Sequence, residues 1–232
     1  MTENPAAALK ELTGLLKEWL AFQGRLGWQG TAPSEEVKQV REPGAAAPTP
    51  TLKEIREAME HCRKCKLGRG RTNLVFGEGS PNAEIMFIGE APGEEEDRQG
   101  RPFVGPAGQV LNNLLNKLGL SREEVYITNV VKSRPPNNRD PEPDEIAACL
   151  PFLQQQIKAI RPKVIVALGR IAAQTLLNTR EPITKLRGRW HKYDRIPVMP
   201  TFHPSYLLRF PRERIKTWQD MQLVMERLAA DE

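Results

Sequence analysis

Two rhythms of apolar residues run through this 232-residue chain. One repeats every three to four positions, the spacing of a helix with one buried face. It places Leu9, Leu12, Leu15, Leu16, Trp19 and Leu20 on one side of residues 5–22, with Lys10, Glu11, Lys17 and Glu18 between them. It resumes behind Thr51, a good N-cap, in Leu52, Ile55 and Met59. It returns in Val110, Leu111, Leu114, Leu115 and Leu118, closed by Gly119, and in Ile146, Leu150, Leu153 and Ile157 over residues 144–160. Further helices are predicted over residues 170–177 and 212–229. The other rhythm is a short apolar run bounded by turn residues, which marks a buried strand. Such runs fall at residues 85–88, 125–131, 164–168 and 198–202, and a short apolar segment at 74–76 precedes the first. Residues 183–199 read as a basic hairpin carrying Lys185, Arg187, Arg189, Lys192 and Arg195. Strands alternating with helices predict an α/β fold, a parallel sheet covered on both faces.

The pattern also divides the chain. Residues 1–28 form an amphipathic helical extension, whose apolar face either packs on its own domain or docks a protein partner. Residues 29–50 are rich in Gly, Ala, Pro, Thr and Ser, ending Pro-Gly-Ala-Ala-Ala-Pro-Thr-Pro, and read as a linker. Residues 51–232 form the folded domain. Charge follows the same division. The net charge is +5, but residues 1–50 hold five Lys/Arg against six Asp/Glu, so the basic excess lies in the domain and suits a polyanionic partner. No apolar run reaches the roughly 18–20 residues that span a bilayer, and no membrane role is expected. The N-terminus lacks a signal-peptide core, and three cysteines are too few for a secreted disulfide framework. A monomer in a reducing cytoplasm is the expectation.

The domain is organised around residues 84–108. An apolar strand there runs into a loop with glycines at 89, 93, 100, 105 and 108, prolines at 92, 102 and 106, and five carboxylates: Glu90, Glu94, Glu95, Glu96 and Asp97. Ligands of open α/β sheets bind at such strand-end loops. Glu94 and Glu95 read as solvated. Glu90 directly follows the strand, where a fixed carboxylate can orient a water or stabilise a developing cation. The loop glycines allow close backbone approach, so Gly89 and Ala91 can offer donors. No phosphate-binding Gly-x-x-x-x-Gly-Lys-Ser/Thr occurs.

Three further features carry candidate chemistry. Cys62-Arg-Lys-Cys65, with Cys149 far along the chain, is compatible with a zinc knuckle, an iron–sulfur site, a redox pair or plain buried thiols. A metal or cluster site is favoured, because the pair follows a helix instead of opening one after a strand. His203 stands at a strand end before Pro204 and is structural or functional on its own evidence. Asn129 ends another strand, where an amide can present donor and acceptor to a base edge, and Phe103 can stack on a planar ring. Together these groups describe a base-reading pocket.

Gly89-Glu-Ala-Pro-Gly-Glu-Glu-Glu-Asp97, Gly100-Arg-Pro-Phe-Val-Gly105, Ile127-Thr-Asn129 and His203-Pro-Ser-Tyr-Leu-Leu208 resemble the motifs of the family 4, iron–sulfur-containing uracil-DNA glycosylases. The likeness covers about residues 52–229, with four separated motifs in order. It implies a central four-stranded parallel sheet with helices on both faces, and cleavage of the N-glycosidic bond of uracil in DNA. By this resemblance Phe103 stacks on the flipped uracil and Asn129 bonds its edge. His203 donates to the uracil O2, Glu90 with the Ala91 backbone holds the attacking water, and Glu96 supports the loop. Leu207 and Leu208 belong to the segment entering the minor groove, with Arg209 nearby for phosphate, and the basic hairpin with Arg187 and Arg189 adds DNA contacts.

The resemblance also implies a [4Fe–4S]-type cluster on four cysteines. Cys62, Cys65 and Cys149 match, but the remaining position holds Ser133, which leaves the fourth ligand open. Two alternatives have different signatures. Superfamily members that trap uracil-DNA covalently carry a basic, histidine-containing insertion after the Asn strand, whereas residues 134–143 here are short and lack histidine. A non-catalytic DNA-binding module would not need Glu90, Asn129 and His203 together.

Overall fold

The structure, a computed structural model, describes residues 49–230. The expected N-terminal helix and nearly all of the linker lie outside those residues. Helix α1 (Leu52–Glu60) begins at Thr51, whose hydroxyl accepts from the Glu54 amide while Glu54 returns to the Thr51 amide, a capping box. A short helix α2 (Leu67–Gly70) follows the Cys62–Cys65 turn. The chain then lays down β1 (Glu78–Gly79), β2 (Ile85–Gly89), α3 (Glu94–Gln99), α4 (Pro106–Lys117) and β3 (Tyr126–Asn129). Helix α5 (Pro143–Ile160), β4 (Val164–Leu168), α6 (Arg170–Leu177) and α7 (Ile183–Leu186) come next. The strands β5 (His191–Tyr193) and β6 (Ile196–Thr201) lead to α8 (Pro204–Arg209) and α9 (Arg214–Ala230).

The sheet order is β1-β3-β2-β4-β6-β5. Its four inner strands are mutually parallel, as expected, but the sheet has six strands, because β1 and β5 add antiparallel edges. Both edges are short and polar, two and three residues long, so neither carries the apolar run that betrays a buried strand. The predicted hairpin over residues 183–199 is correspondingly a short helix followed by a tighter β5–β6 ribbon.

Every residue of β2 and β4 is buried, consistent with strands covered on both faces. One apolar cluster packs α1, α5 and α6 onto one face through Ile55, Leu153, Ile157 and Ala172. The other packs α4 and α9 onto the opposite face through Leu111, Leu115, Met221 and Val224. The chain leaves β2 for β3 on one side and crosses back to β4 on the other. The carboxyl end of β2 is thus a topological switch point, where an open α/β sheet leaves a crevice. Among the described residues no helix is long and apolar enough to cross a membrane.

Candidate active site

A cavity of about 810 Å³ opens above the carboxyl ends of the inner strands, within the range of small-ligand sites. Glu90, Ala91, Phe103, Asn129, His203 and Arg209 all line it. Parallel pairing sets Gly89 beside Asn129, and the Val130 and Val131 amides donate to the Gly89 and Glu90 carbonyls, extending the ladder into the loop. Glu90 and Asn129 are thereby fixed on neighbouring strand ends. Burial pushes the Glu90 carboxyl up to about 7, aided by the negative charge of Asp140 and opposed by Arg170.

Asn129 is fully buried, and its side-chain oxygen has no hydrogen-bond partner. An orphaned buried acceptor on a cavity wall costs about 1–3 kcal/mol until a ligand donor meets it. Its backbone carbonyl accepts from Lys132 Nζ at 2.6 Å, and the same ammonium donates to Thr128 Oγ1. Lys132 is wholly buried, and that burial lowers its pKa to about 7.

Phe103 stands across from Asn129 with φ +52°, an unusual left-handed conformation for an aromatic residue. Arg122 holds it there: its guanidinium donates to the carbonyls of Pro102 (2.6 Å) and Phe103 (3.1 Å) and is itself tied to Glu78 and Asn112. Glu96 closes the same loop. Its Oε1 accepts from the Val104 and Gly105 amides at 2.9 and 2.8 Å, and its Oε2 from Gly93 at 3.0 Å. These three bonds tie Glu96 to the loop's backbone. The stretch read as irregular loop contains α3, whose first turn gathers four carboxylates where the helix dipole favours them.

His203 caps α8. Its Nδ1 accepts from the Ser205 amide at 3.1 Å, which leaves the ring proton on Nε2. Burial first, then Arg209, lowers its pKa to about 4, so the ring is neutral at physiological pH and offers Nε2–H as a donor. Its ring centroid lies 5.7 Å from that of Phe103. Gly169, at the end of β4 with φ +89°, lets this happen: a Cβ there would meet the His203 Cβ at 2.8 Å.

The residues assigned to DNA divide differently from the expectation. Leu207 is buried, 2% exposed, while Leu208 is 41% exposed on the cavity rim, so only Leu208 is free to enter a groove. The phase of α8 separates the two neighbours. Arg187 is also turned inward, paired with the buried carboxylate of Asp220, which in turn accepts from Thr201 Oγ1 at 2.6 Å. That removes Arg187 from the solvent-facing cations, whereas Arg189 is partly exposed.

Cys62 and Cys65 pack beside the core cluster that contains Cys149, whose pKa is raised by burial first and, to a smaller extent, by the two nearby thiols. Arg71 links Ser133 to this corner: it donates to Ser133 Oγ at 3.4 Å and to the Met59 and Glu60 carbonyls just before Cys62. Among the described residues no three Cys, His, Asp or Glu converge tightly enough for a single ion. A single zinc needs ligands at about 2.0–2.3 Å, whereas a multi-iron cluster holds its cysteines farther apart. Three soft thiols around one corner fit an iron–sulfur cluster; the seryl hydroxyl is the misfit in the donor set.

Sequence reading missed Asp140, Arg170 and Lys132. Asp140 and Arg170 both line the cavity, and a carboxylate beside Glu90 perturbs it directly. Arg170 had one sequence signal, a charge just past a strand end, whereas Asp140, eleven residues beyond β3, had none.

Comparison with known proteins agrees with this geometry. Residues 76–228 match the family model of the uracil DNA glycosylase superfamily. A type-4 uracil-DNA glycosylase of Sulfurisphaera tokodaii is 50% identical over 185 residues, 76% of this chain and 84% of that protein. One from Thermotoga maritima is 53% identical over 159 residues, covering 67% and 82%. A type-5 enzyme of Thermus thermophilus is 39% identical over 118 residues, covering 44% and 53%. With its cavity walled by an aromatic ring, an orphaned amide, a carboxyl and a neutral imidazole, this chain belongs to the uracil-DNA glycosylase superfamily, with type-4 enzymes among its relatives.

Proposed function

We infer that this chain hydrolyses the N-glycosidic bond of a uracil flipped out of DNA, leaving an abasic site and initiating base-excision repair. The observation that carries the reading is the unpartnered Asn129 oxygen beside the Phe103 ring, in one cavity with a neutral His203 and a Glu90 poised near neutrality.

The base stacks on Phe103. Its imide N–H meets the orphaned Asn129 oxygen, and the rest of the amide meets a neighbouring carbonyl. A base without that donor leaves the oxygen unpaired, which is the strongest form of rejection a polar pocket has. As the bond between the sugar and the base breaks, its electron pair goes to the uracil ring. His203 Nε2–H bonds the oxygen where that charge collects, an aid worth about 2.7–4 kcal/mol for one preorganised donor. A neutral imidazole suits this task, because it stabilises the anion without first surrendering a proton. Ionised Glu90 stabilises the developing sugar cation, orients the water and accepts its proton when the new carbon–oxygen bond forms.

Extrusion of the base costs a few kcal/mol, least at a mismatch, so U opposite G opens more easily than U opposite A. Leu208 at the rim offsets part of that cost by filling the vacated stack, and Arg209 and Arg189 serve the phosphates. Cys62, Cys65 and Cys149 hold an iron–sulfur cluster, with Ser133 at the fourth position. Its role is structural, joining the α1–α2 turn to α5 and the segment after β3.

A uracil-containing oligonucleotide incubated with the protein tests the activity. Abasic-site cleavage is the expected result. A covalent adduct, or binding without release of uracil, would refute it.

A further inference from the structure

Glu90 does not stand alone. The neighbouring loop brings Asp140 to the same cavity, and Asp140 is clamped at both ends. Its backbone carbonyl accepts from Arg139 Nη1 at 2.8 Å, and Arg139 is anchored by a bidentate pair with the buried Glu145, at 2.7 and 2.9 Å. Its carboxylate is paired with Arg170, from the first turn of α6. Arg170 is steadied in turn by Gln174 Oε1 at 3.4 Å. Asp140 and Glu90 line the same cavity, and the Asp140 carboxylate lies near enough to raise the pKa of the Glu90 carboxyl.

We propose that Asp140 is a positioning residue of this active site, held by Arg139 and Arg170 so that its carboxyl orients Glu90 and sets the charge Glu90 carries when water binds. Two carboxyl groups facing one cavity favour a state in which one of them holds a proton. Burial, the larger cause of its raised pKa, places that proton on Glu90. In that state Glu90 neither stabilises a cation nor accepts a proton from water. Loss of the proton frees Glu90 for both tasks.

The charges acting on Glu90 have opposite signs: Asp140 raises its pKa and Arg170 lowers it, with burial the larger cause of its rise to about 7. From the other walls the cavity receives His203 and Arg209 of the β6–α8 segment, Glu94, Glu95 and Glu96 of α3, and Arg139. His203, with its pKa near 4, stays neutral through the relevant range. An acidic residue at the mouth of a pocket for polyanionic DNA is otherwise a liability. Its pairing with Arg170 and its effect on Glu90 explain what it does there.

The inference rests on the reading of Glu90 as the water-binding carboxylate, and the experiment separates the two. Single-turnover excision of uracil from an oligonucleotide is measured from pH 5 to 9 for the unmodified protein, Asp140→Asn, Arg170→Gln and Glu90→Gln, with thermal melting to verify folding. The unmodified rate rises through a limb near pH 7. Asp140→Asn moves that limb toward acid by about half to one pH unit, the size of one carboxylate's influence at contact distance in a wet site. Arg170→Gln moves it toward alkali. Glu90→Gln loses most of the rate and the limb with it. An unmoved limb in Asp140→Asn, or a shift in the same direction in both variants, overturns the proposal while a dead Glu90→Gln leaves the Glu90 reading standing. Retention of rate and limb in Glu90→Gln overturns that reading itself. Asp140→Glu keeps the charge and serves as the conservative variant; its limb stays nearer the unmodified position than that of Asp140→Asn.

Discussion

A single methyl group at Gly89 tests whether the pocket depends on the strand-end geometry. A Cβ built there lies 2.4 Å from Asn129 Oδ1 and 2.5 and 2.8 Å from Phe103 Cζ and Cε2. Ordinary contact needs about a further ångström at each, so the methyl fits only if the amide or the ring retreats. Neither is free to do so. Phe103 is pinned at φ +52° by the Arg122 bonds to its own carbonyl and that of Pro102, and Lys132 grips the Asn129 carbonyl. Overpacking of this kind costs about 1–3 kcal/mol, or roughly 2–12 °C in Tm for a domain of this size. The effect on chemistry is larger, because misplacing a reacting group by about 1 Å can cost 100-fold. Gly89→Ala is therefore expected to melt a few degrees lower and to excise uracil about 100-fold more slowly under single-turnover conditions. Gly70→Ala is the control: nothing lies within 4 Å of its added methyl, and it should be neutral or slightly stabilising. Excision by Gly89→Ala within about threefold of the unmodified rate would refute the claim that Phe103 and Asn129 are held in place rather than adaptable.

Four other substitutions separate stability from function. Asn129→Ala removes an oxygen that is already unpaired in the free protein, so melting should change little while excision falls at least about tenfold, one lost hydrogen bond's worth; a large fall in Tm would contradict the orphan assignment. Arg187→Ala strands the Asp220 carboxylate, 1% exposed, and breaking a buried pair this way costs about 3–5 kcal/mol, roughly 6–20 °C in Tm. Arg189→Ala should instead leave melting unchanged and weaken DNA binding with a shallower salt dependence; equal melting of the two variants would undo the distinction. Ser133→Cys replaces the misfit donor with a thiol, and iron per chain, visible absorbance and resistance to chelators should all increase; unchanged iron content would show that the three cysteines do not share a cluster with that position.

Much of this fold was legible because its signals are repetitive. The apolar run at 85–88 read as a buried strand, and Thr51 announced a helix start by capping chemistry. What was not legible depends on single contacts that carry no period. The edge strands are too short to alternate. Helix α3 had a signal, Glu96 three residues after Gly93, but the surrounding glycines and prolines masked it. Leu207 and Leu208 are chemically identical neighbours, and only the phase of α8 decides which of them faces water. Arg187 and Arg189 pose the same problem. Either reads as a surface cation until Asp220, 33 residues along the chain, turns out to sit against one of them.

The same reasoning explains why the acid–base character of the site could not be read from residue types. A free histidine titrates near 6.5 and a free glutamate near 4.3, an order that makes the histidine the acid and the glutamate a permanent anion. The fold reverses that order. Burial and Arg209 hold His203 down near 4, and burial with Asp140 lifts Glu90 to about 7. The reversal suits the reaction: the group facing the departing base must donate a hydrogen bond without carrying a charge of its own, and the group facing the sugar must take a proton from water near neutrality. Neither shift is paid for by a neighbouring opposite charge that substrate would have to displace. Both follow chiefly from burial at the carboxyl ends of strands, so they are properties of where β2 and β6 end. A substitution that opens the cavity to water should therefore draw both groups back toward their ordinary values together, narrowing the gap that separates acid from base even where no catalytic side chain has been touched.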